Sequence, residues 1–191
     1  ALEKGAEPLS VFAYLKGMEY PEDFLRYSWK VLMQNHPHDS ICGCSVNQVH
    51  EEMAVRFEKS IQVAQELLAE SGKYLASRIG AGLLEQSDHK TCPFVVFNTT
   101  GWEKSQVVSV VLDWHRIWGK DLTAAYQEAE NLELPRFVLK DSQGNPVEAS
   151  VEDLGVSFGY TLPEDRFRQT YMARQVRVTF EAKVPCLGYT S

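Results

Sequence analysis

The stretch from Ser45 to Ile79 constrains this chain more than any other. Apolar residues recur three or four positions apart at Val49, Met53, Phe57, Ile61, Ala64, Leu68, Leu75 and Ile79, the spacing that gathers side chains on one face of an α-helix. Ser45-Val46-Asn47-Gln48 has the capping-box pattern, with Ser45 as N-cap and Gln48 able to reach back. Gly80-Ala81-Gly82 closes the run. A helix of ~34 residues is roughly 50 Å long at ~1.5 Å per residue. So long an apolar stripe is buried by neighbouring helices, as in a bundle.

Two earlier segments supply those neighbours. Ala6 to Lys16 reads as a short helix that ends at Gly17. Glu19-Tyr20-Pro21-Glu22-Asp23 opens another, because proline suits a first helical turn and acidic residues there complement the positive end of the helix dipole. That second helix runs through Phe24, Tyr27, Trp29, Val31 and Leu32 toward Asn35. Pro37 stops it, since the residue before a proline is pushed out of helical geometry.

Past Lys90 the pattern becomes one of strands. Phe94–Phe97 and Val107–Leu112 are β-rich runs, and Phe137–Lys140 and Val147–Val151 flank the turn-like Asp141–Pro146. Val176, Val178, Phe180 and Ala182 alternate with Arg177, Thr179, Glu181 and Lys183, so one face is buried and the other wet. Trp114–Pro135 and Gly155–Arg168 carry no assignment, although Leu122–Asn131 suits a helical turn or two. The expected fold class is α+β: a three-helix bundle over residues 1–85, then an antiparallel, sandwich-like β domain over 90–191. The junction falls near 85–92. A start without Met in a helical pattern, and a last strand with no closing element, are what a piece of a longer protein would show.

Composition narrows the partners. The 191 residues carry a formal charge of −7 and are 44% hydrophobic, which is ordinary for a folded domain. An acidic chain with no basic run repels phosphate backbones, so nucleic acid is not an expected partner. No apolar stretch approaches the ~18 to 20 residues that span a bilayer, so no membrane is expected either. Ala1–Tyr20 shows no export signal, and a cytoplasmic location with reduced Cys42, Cys44, Cys92 and Cys186 is the expectation. Cys42 and Cys44, separated only by Gly43, are expected to be poorly placed for pairing with each other.

Chemistry concentrates in Asn35-His36-Pro37-His38-Asp39-Ser40-Ile41-Cys42-Gly43-Cys44-Ser45, a connection between two strong helices. The residues leave three readings open. It could be only a tight connection, with His36 capping the preceding helix, Asp39 bonding within the turn and the cysteines filling an apolar gap. His36 or His38 could join Cys42 and Cys44 in a structural zinc site. Or His38 could supply one ligand of an open metal site, with Asp39 turned to the substrate.

The segment His36–Gly43, followed by Val49-His50-Glu51-Glu52-Met53 and Arg56-Phe57, resembles glycoside hydrolase family 38, the retaining α-mannosidases. The likeness is to the three-helix domain of the family's bacterial members, and Ala6-Glu7-Pro8, Tyr20-Pro21 and Trp29-Lys30 fit it too. Phe97-Asn98-Thr99-Thr100-Gly101-Trp102 and Val184-Pro185-Cys186-Leu187-Gly188-Tyr189 are similar to the start of the family's β-sandwich region.

The resemblance implies that His38 is a zinc ligand and that Asp39 binds sugar hydroxyls beside the metal. It implies no ligand role for His36, Cys42 or Cys44. It also implies that the zinc is completed by a His-x-Asp pair and an aspartate nucleophile on a preceding α/β barrel, which also carries the general acid. None of the five histidines here has Asp two residues later, so no catalytic residue is assigned. The expected function is zinc-dependent hydrolysis of terminal α-linked mannose by the intact protein. Its partners would be a mannose-containing carbohydrate and the N-terminal catalytic domain, and this piece alone would be inactive. The alternative is a non-catalytic scaffold or a carbohydrate-binding module using Trp102, Trp114 or Trp118, with a His/Cys structural zinc site.

Overall fold

A computed structural model describes residues 1–79, 91–119, 121–163 and 165–191. The chain divides into two compact units, Ala1–Ser87 with Thr99–Gly101, and Asp88–Asn98 with Trp102–Ser191. The architecture is α+β, with helices first and antiparallel sheets after. The expected helix stop at Gly80–Gly82 and most of the expected junction lie outside the described residues.

In the first unit a π-helical turn, Leu2–Ala6, leads into α1 (Glu7–Leu15), followed by α2 (Glu22–Met33), the single turn α3 (His38–Ile41) and the long α4 (Asn47–Ile79). Pro8 sits in the first turn of α1, and Glu22 and Asp23 in that of α2. Val46 rather than Ser45 precedes the first residue of α4, and its carbonyl accepts from the amides of Val49 at 3.0 Å and His50 at 3.4 Å. Leu2, Ala6, Leu25, Ala64 and Leu67 form the buried core, with Tyr20, Trp29, Leu32, Val63 and Leu68 packed around it.

The buried stripe of α4 is Met53, Ser60, Ala64, Leu67, Ser71 and Leu75. It differs from the apolar pattern in holding Ser60, Leu67 and Ser71, while Val49, Phe57, Leu68 and Ile79 are only half-buried and Ile61 stands 44% exposed. The reason is close helix approach. Ser28 on α2 meets Ser60 hydroxyl to hydroxyl at 3.0 Å, and Ser10 on α1 meets Ser71 at 3.2 Å. Small side chains admit a neighbouring backbone there, and each hydroxyl satisfies the other.

The second unit is built on the antiparallel sheet β2 (Lys104–Trp118), β6 (Gln169–Val184) and β5 (Ala149–Thr161), with β6 in the centre. Two short pairs complete it: β1 (Val96–Asn98) with β7 (Gly188–Thr190), and β3 (Leu139–Lys140) with β4 (Pro146–Val147). One face of β6, from Val176 through Val178, Phe180 and Ala182 to Val184, is buried. Val96, Phe137, Leu139 and Val147 from outside the three-stranded sheet pack on it, which gives the unit its layered core. The two later segments that carried the resemblance meet here. Asn98 is buried and its amide donates to the carbonyls of Trp102 at 2.8 Å and Pro185 at 2.9 Å.

Two segments without a sequence assignment have regular structure. β2 and β5 each bulge, between Asp113 and His115 and between Asp153 and Gly155, and continue well past the expected strands. Such bulges re-aim the side chains around them. Leu122–Glu130 forms α5, capped by Asp121, whose carboxylate accepts from the amides of Thr123 at 3.0 Å and Ala124 at 3.1 Å. Beyond the bulges, the ring of Tyr171 lies where a Cβ on Gly159 would stand, at 2.4 Å, so only glycine fits without a shift.

Candidate functional site

The connection between α2 and α4 is pinned at its root. Asn35 is fully buried, and its side-chain amide donates to the Met53 carbonyl on α4 at 3.0 Å. The amides of Asn35 and His36 bond back to Leu32 and Met33, both at 3.0 Å, which tightens the last turn of α2. Pro37 then swings out at φ −50° and ψ 139° and serves as the N-cap of α3.

α3 closes with a Schellman motif. Gly43 donates to Ser40 at 3.1 Å and Cys44 to Asp39 at 3.0 Å, with Gly43 at φ 81°. That left-handed conformation suits glycine, and it explains why a glycine separates the two cysteines. The backbone carbonyl of Asp39 is therefore tied to the amide of Cys44.

His38 and Asp39 project from this turn. The His38 Nδ1 lies 3.1 Å from Asp39 Oδ1, with the two side chains 90% and 74% exposed. A carboxylate at Nδ1 favours the tautomer that leaves the Nε2 lone pair free, the usual orientation of a metal-binding imidazole. The second Asp39 oxygen stays open to a hydroxyl donor. His38 thus fits one corner of a metal site. Among the described residues no three of His, Cys, Asp and Glu come together to hold a metal ion, so the remaining ligands would have to come from elsewhere.

The other residues of the segment divide differently. His36 is exposed. Cys42 and Cys44 are exposed free thiols rather than fillers of an apolar gap, and their sulfurs are 3.3 Å apart. Of the tryptophans, Trp114 belongs to the β core and stacks edge-on against Phe137. Trp102 and Trp118 are 64% and 51% exposed.

One polar cluster escaped the sequence reading. Asp113, at the β2 bulge, accepts from Tyr171 at 2.9 Å, Gln175 at 2.8 Å and Arg116 at 2.9 Å. Burial alone would raise its carboxyl, but the bonds from Gln175 and Tyr171 and the Arg116 guanidinium hold it below the usual carboxylate range. The one signal in the sequence was an acid that ends the apolar run Val107–Leu112. Three donors from within the unit hold this carboxylate, both of its oxygens included, so the cluster braces the bulge rather than offering a ligand site.

Comparison with known proteins decides what kind of chain carries this turn. Residues 89–191 match the glycosyl hydrolases family 38 C-terminal domain 1, and residues 1–75 match the α-mannosidase middle domain. The chain belongs to glycoside hydrolase family 38. The structure of an α-mannosidase from Enterococcus faecalis V583 is 38% identical, covers 98% of this chain and superposes with a TM-score of 0.84. A second family 38 structure from Enterococcus faecalis is 33% identical over 99% of the chain, with a TM-score of 0.76. A protein of Halalkalibacterium halodurans, provisionally named mannosylglycerate hydrolase, is 38% identical over 176 residues. This chain spans 19% of that relative's length and 21% of the first structure's, about a fifth of each.

Proposed function

We propose that this chain is the metal-contacting middle part, with the first C-terminal part, of a zinc-dependent retaining α-mannosidase. The observation that carries the reading is the exposed His38–Asp39 pair, held on a capped turn in a chain of family 38. His38 would offer Nε2 to zinc while Asp39 orients its ring. Asp39 Oδ2 would accept a hydroxyl of the bound mannose and fix that sugar's orientation. Zinc, when bound, supplies a Lewis acid that grips sugar hydroxyls and favours the distorted ring of the transition state. The nucleophile and the general acid, two carboxyl groups about 5 Å apart in a retaining enzyme, would come from residues outside this chain.

The resemblance of the relative named for mannosylglycerate favours a small mannosyl compound as the substrate, so both that compound and an aryl α-mannoside belong in the assay. In the intact protein, His38→Ala should lose its metal on dialysis, read by elemental analysis. Its turnover should fall by more than the ~10–100-fold that loss of an outer-shell partner costs. Retention of full turnover and stoichiometric metal in that variant would sink the assignment. The chain by itself should neither cleave an aryl α-mannoside nor keep one zinc per chain.

A further inference from the structure

We propose that Cys42 and Cys44 are a reversible dithiol–disulfide pair that switches the His38–Asp39 turn. The two sulfurs are 3.3 Å apart and both side chains are exposed on this chain, the side from which a small soluble oxidant would approach. Gly43 at φ 81° folds the backbone between them, and the two sulfurs meet on one side of that fold. Bond formation would draw the sulfurs to ~2.05 Å, a movement of about an ångström taken up within a three-residue segment. A ring that small is strained, and strained, exposed disulfides are the readily reduced ones. The pair is thus built for exchange rather than for permanent cross-linking.

The coupling runs through the backbone. The Cys44 amide donates to the Asp39 carbonyl at 3.0 Å and the Cys42 amide to the His38 carbonyl at 3.1 Å. Both cap bonds have ordinary length with the thiols reduced. Closing the disulfide pulls on the two donors at once, so the carbonyls of the site residues must follow or lose their partners. The reduced form is therefore the competent one, and oxidation displaces His38 and Asp39. This coupling to activity rests on the function proposed above; the disulfide itself does not.

The oxidant is a small-molecule disulfide such as oxidised glutathione. One cysteine thiolate attacks a glutathione sulfur, forming a mixed disulfide and releasing one glutathione thiolate. The other cysteine thiolate attacks the protein sulfur of that mixed disulfide, closing Cys42–Cys44 and releasing the second glutathione. Two protons leave the protein thiols and two electrons pass to glutathione, so the step balances.

The test equilibrates the intact protein in glutathione buffers from reduced to oxidised, quenches with acid, alkylates and maps peptides by mass. The expected result is loss of two hydrogen masses in the peptide holding Cys42 and Cys44, reversed by dithiothreitol, while Cys92 and Cys186 stay alkylatable. Turnover should fall several-fold in parallel and recover on reduction, whereas Cys42→Ser and Cys44→Ser should keep their turnover throughout the series. Amide exchange across Ser40–Cys44 should quicken on oxidation. Mixed glutathione adducts without closure, or no mass change, would overturn the pair. Closure with unchanged exchange in that segment would overturn the coupling, whatever the turnover does. If His38→Ala keeps full turnover, the functional reading fails while the mass and exchange readouts still decide this one.

Discussion

The two units treat polar groups in opposite ways. In the helical unit the buried polar groups are small and uncharged: Ser10, Ser28, Ser60 and Ser71 face one another in pairs, and Asn35 holds a carbonyl. The imidazole of His38 and the carboxylate of Asp39 stand out on an exposed turn. In the β unit several charged groups are held by bonds to other residues of the same unit. Asp113 holds three donors, Arg174 bridges the Glu130 carbonyl and Asp153, and Arg177 pairs with Glu152. A perturbed acid is often read as a functional one. Asp113 is an occupied one, and the groups free to meet a ligand are those the scaffold leaves unspent.

The comparison breaks if the helical unit is not rigid enough to present its turn. The largest expected effect tests that directly. Leu67 is 2% exposed and lies at the centre of the helical core. Leu67→Ala should cost ~2–5 kcal/mol through lost transfer energy and a cavity. Hydrogen exchange of the α1, α2 and α4 amides in the intact protein would read it, and β2, β5 and β6 should stay protected. Equal loss in both units would mean that they open as one, and the contrast between them would lose its basis.

A smaller effect sharpens the other side. The Asp113 carboxyl is held below its ordinary value in the fold, so the stability it contributes is present above the unfolded value of about 3.9 and lost as pH falls through the folded one. Exchange protection of β2 and β6 should therefore weaken as pH drops below about 4. In Asp113→Asn the same amides should be less protected at neutral pH, by ~1–3 kcal/mol for the disrupted hydrogen bonds, and should show less of that acid-dependent loss. Unchanged activity in this variant is also expected, because its acceptors face Tyr171, Gln175 and Arg116. A steep loss of turnover without loss of protection would mean that Asp113 meets substrate after all.

What the sequence made legible follows the same division. The long helix, the proline-led α2 and the alternation on β6 depend on local periodicity, and all three could be read. The His38–Asp39 turn was legible through its motif, although its one-turn helix and Schellman closure were not, because four residues carry no period. Hydropathy favours Ile61 over the serines of α4, since it does not register how closely two helices approach. β2 and β5 were cut short because each bulge shifts the alternation by one residue, at Trp114 and Leu154. The Asp113 cluster joins residues 58 and 62 positions apart, a separation at which no local pattern exists.

The smallest effect belongs to the buried hydroxyls. Ser10 and Ser71 are 1% and 0% exposed and meet at 3.2 Å. Removing one hydroxyl strands the other without water, so Ser10→Ala or Ser71→Ala should each cost ~1 kcal/mol or somewhat more. Removing both leaves no orphaned group and only a small loss of volume, so the double variant should be closer to wild type than the sum of the singles predicts. Amide exchange in α1 and α4 would give the cycle. Simple additivity would mean that the two hydroxyls do not satisfy each other, and that small size alone put serine on the buried stripe. Strong coupling would identify hydroxyl pairing as the way this unit keeps its interior polar but uncharged, leaving the imidazole and carboxylate of the exposed turn for ligands.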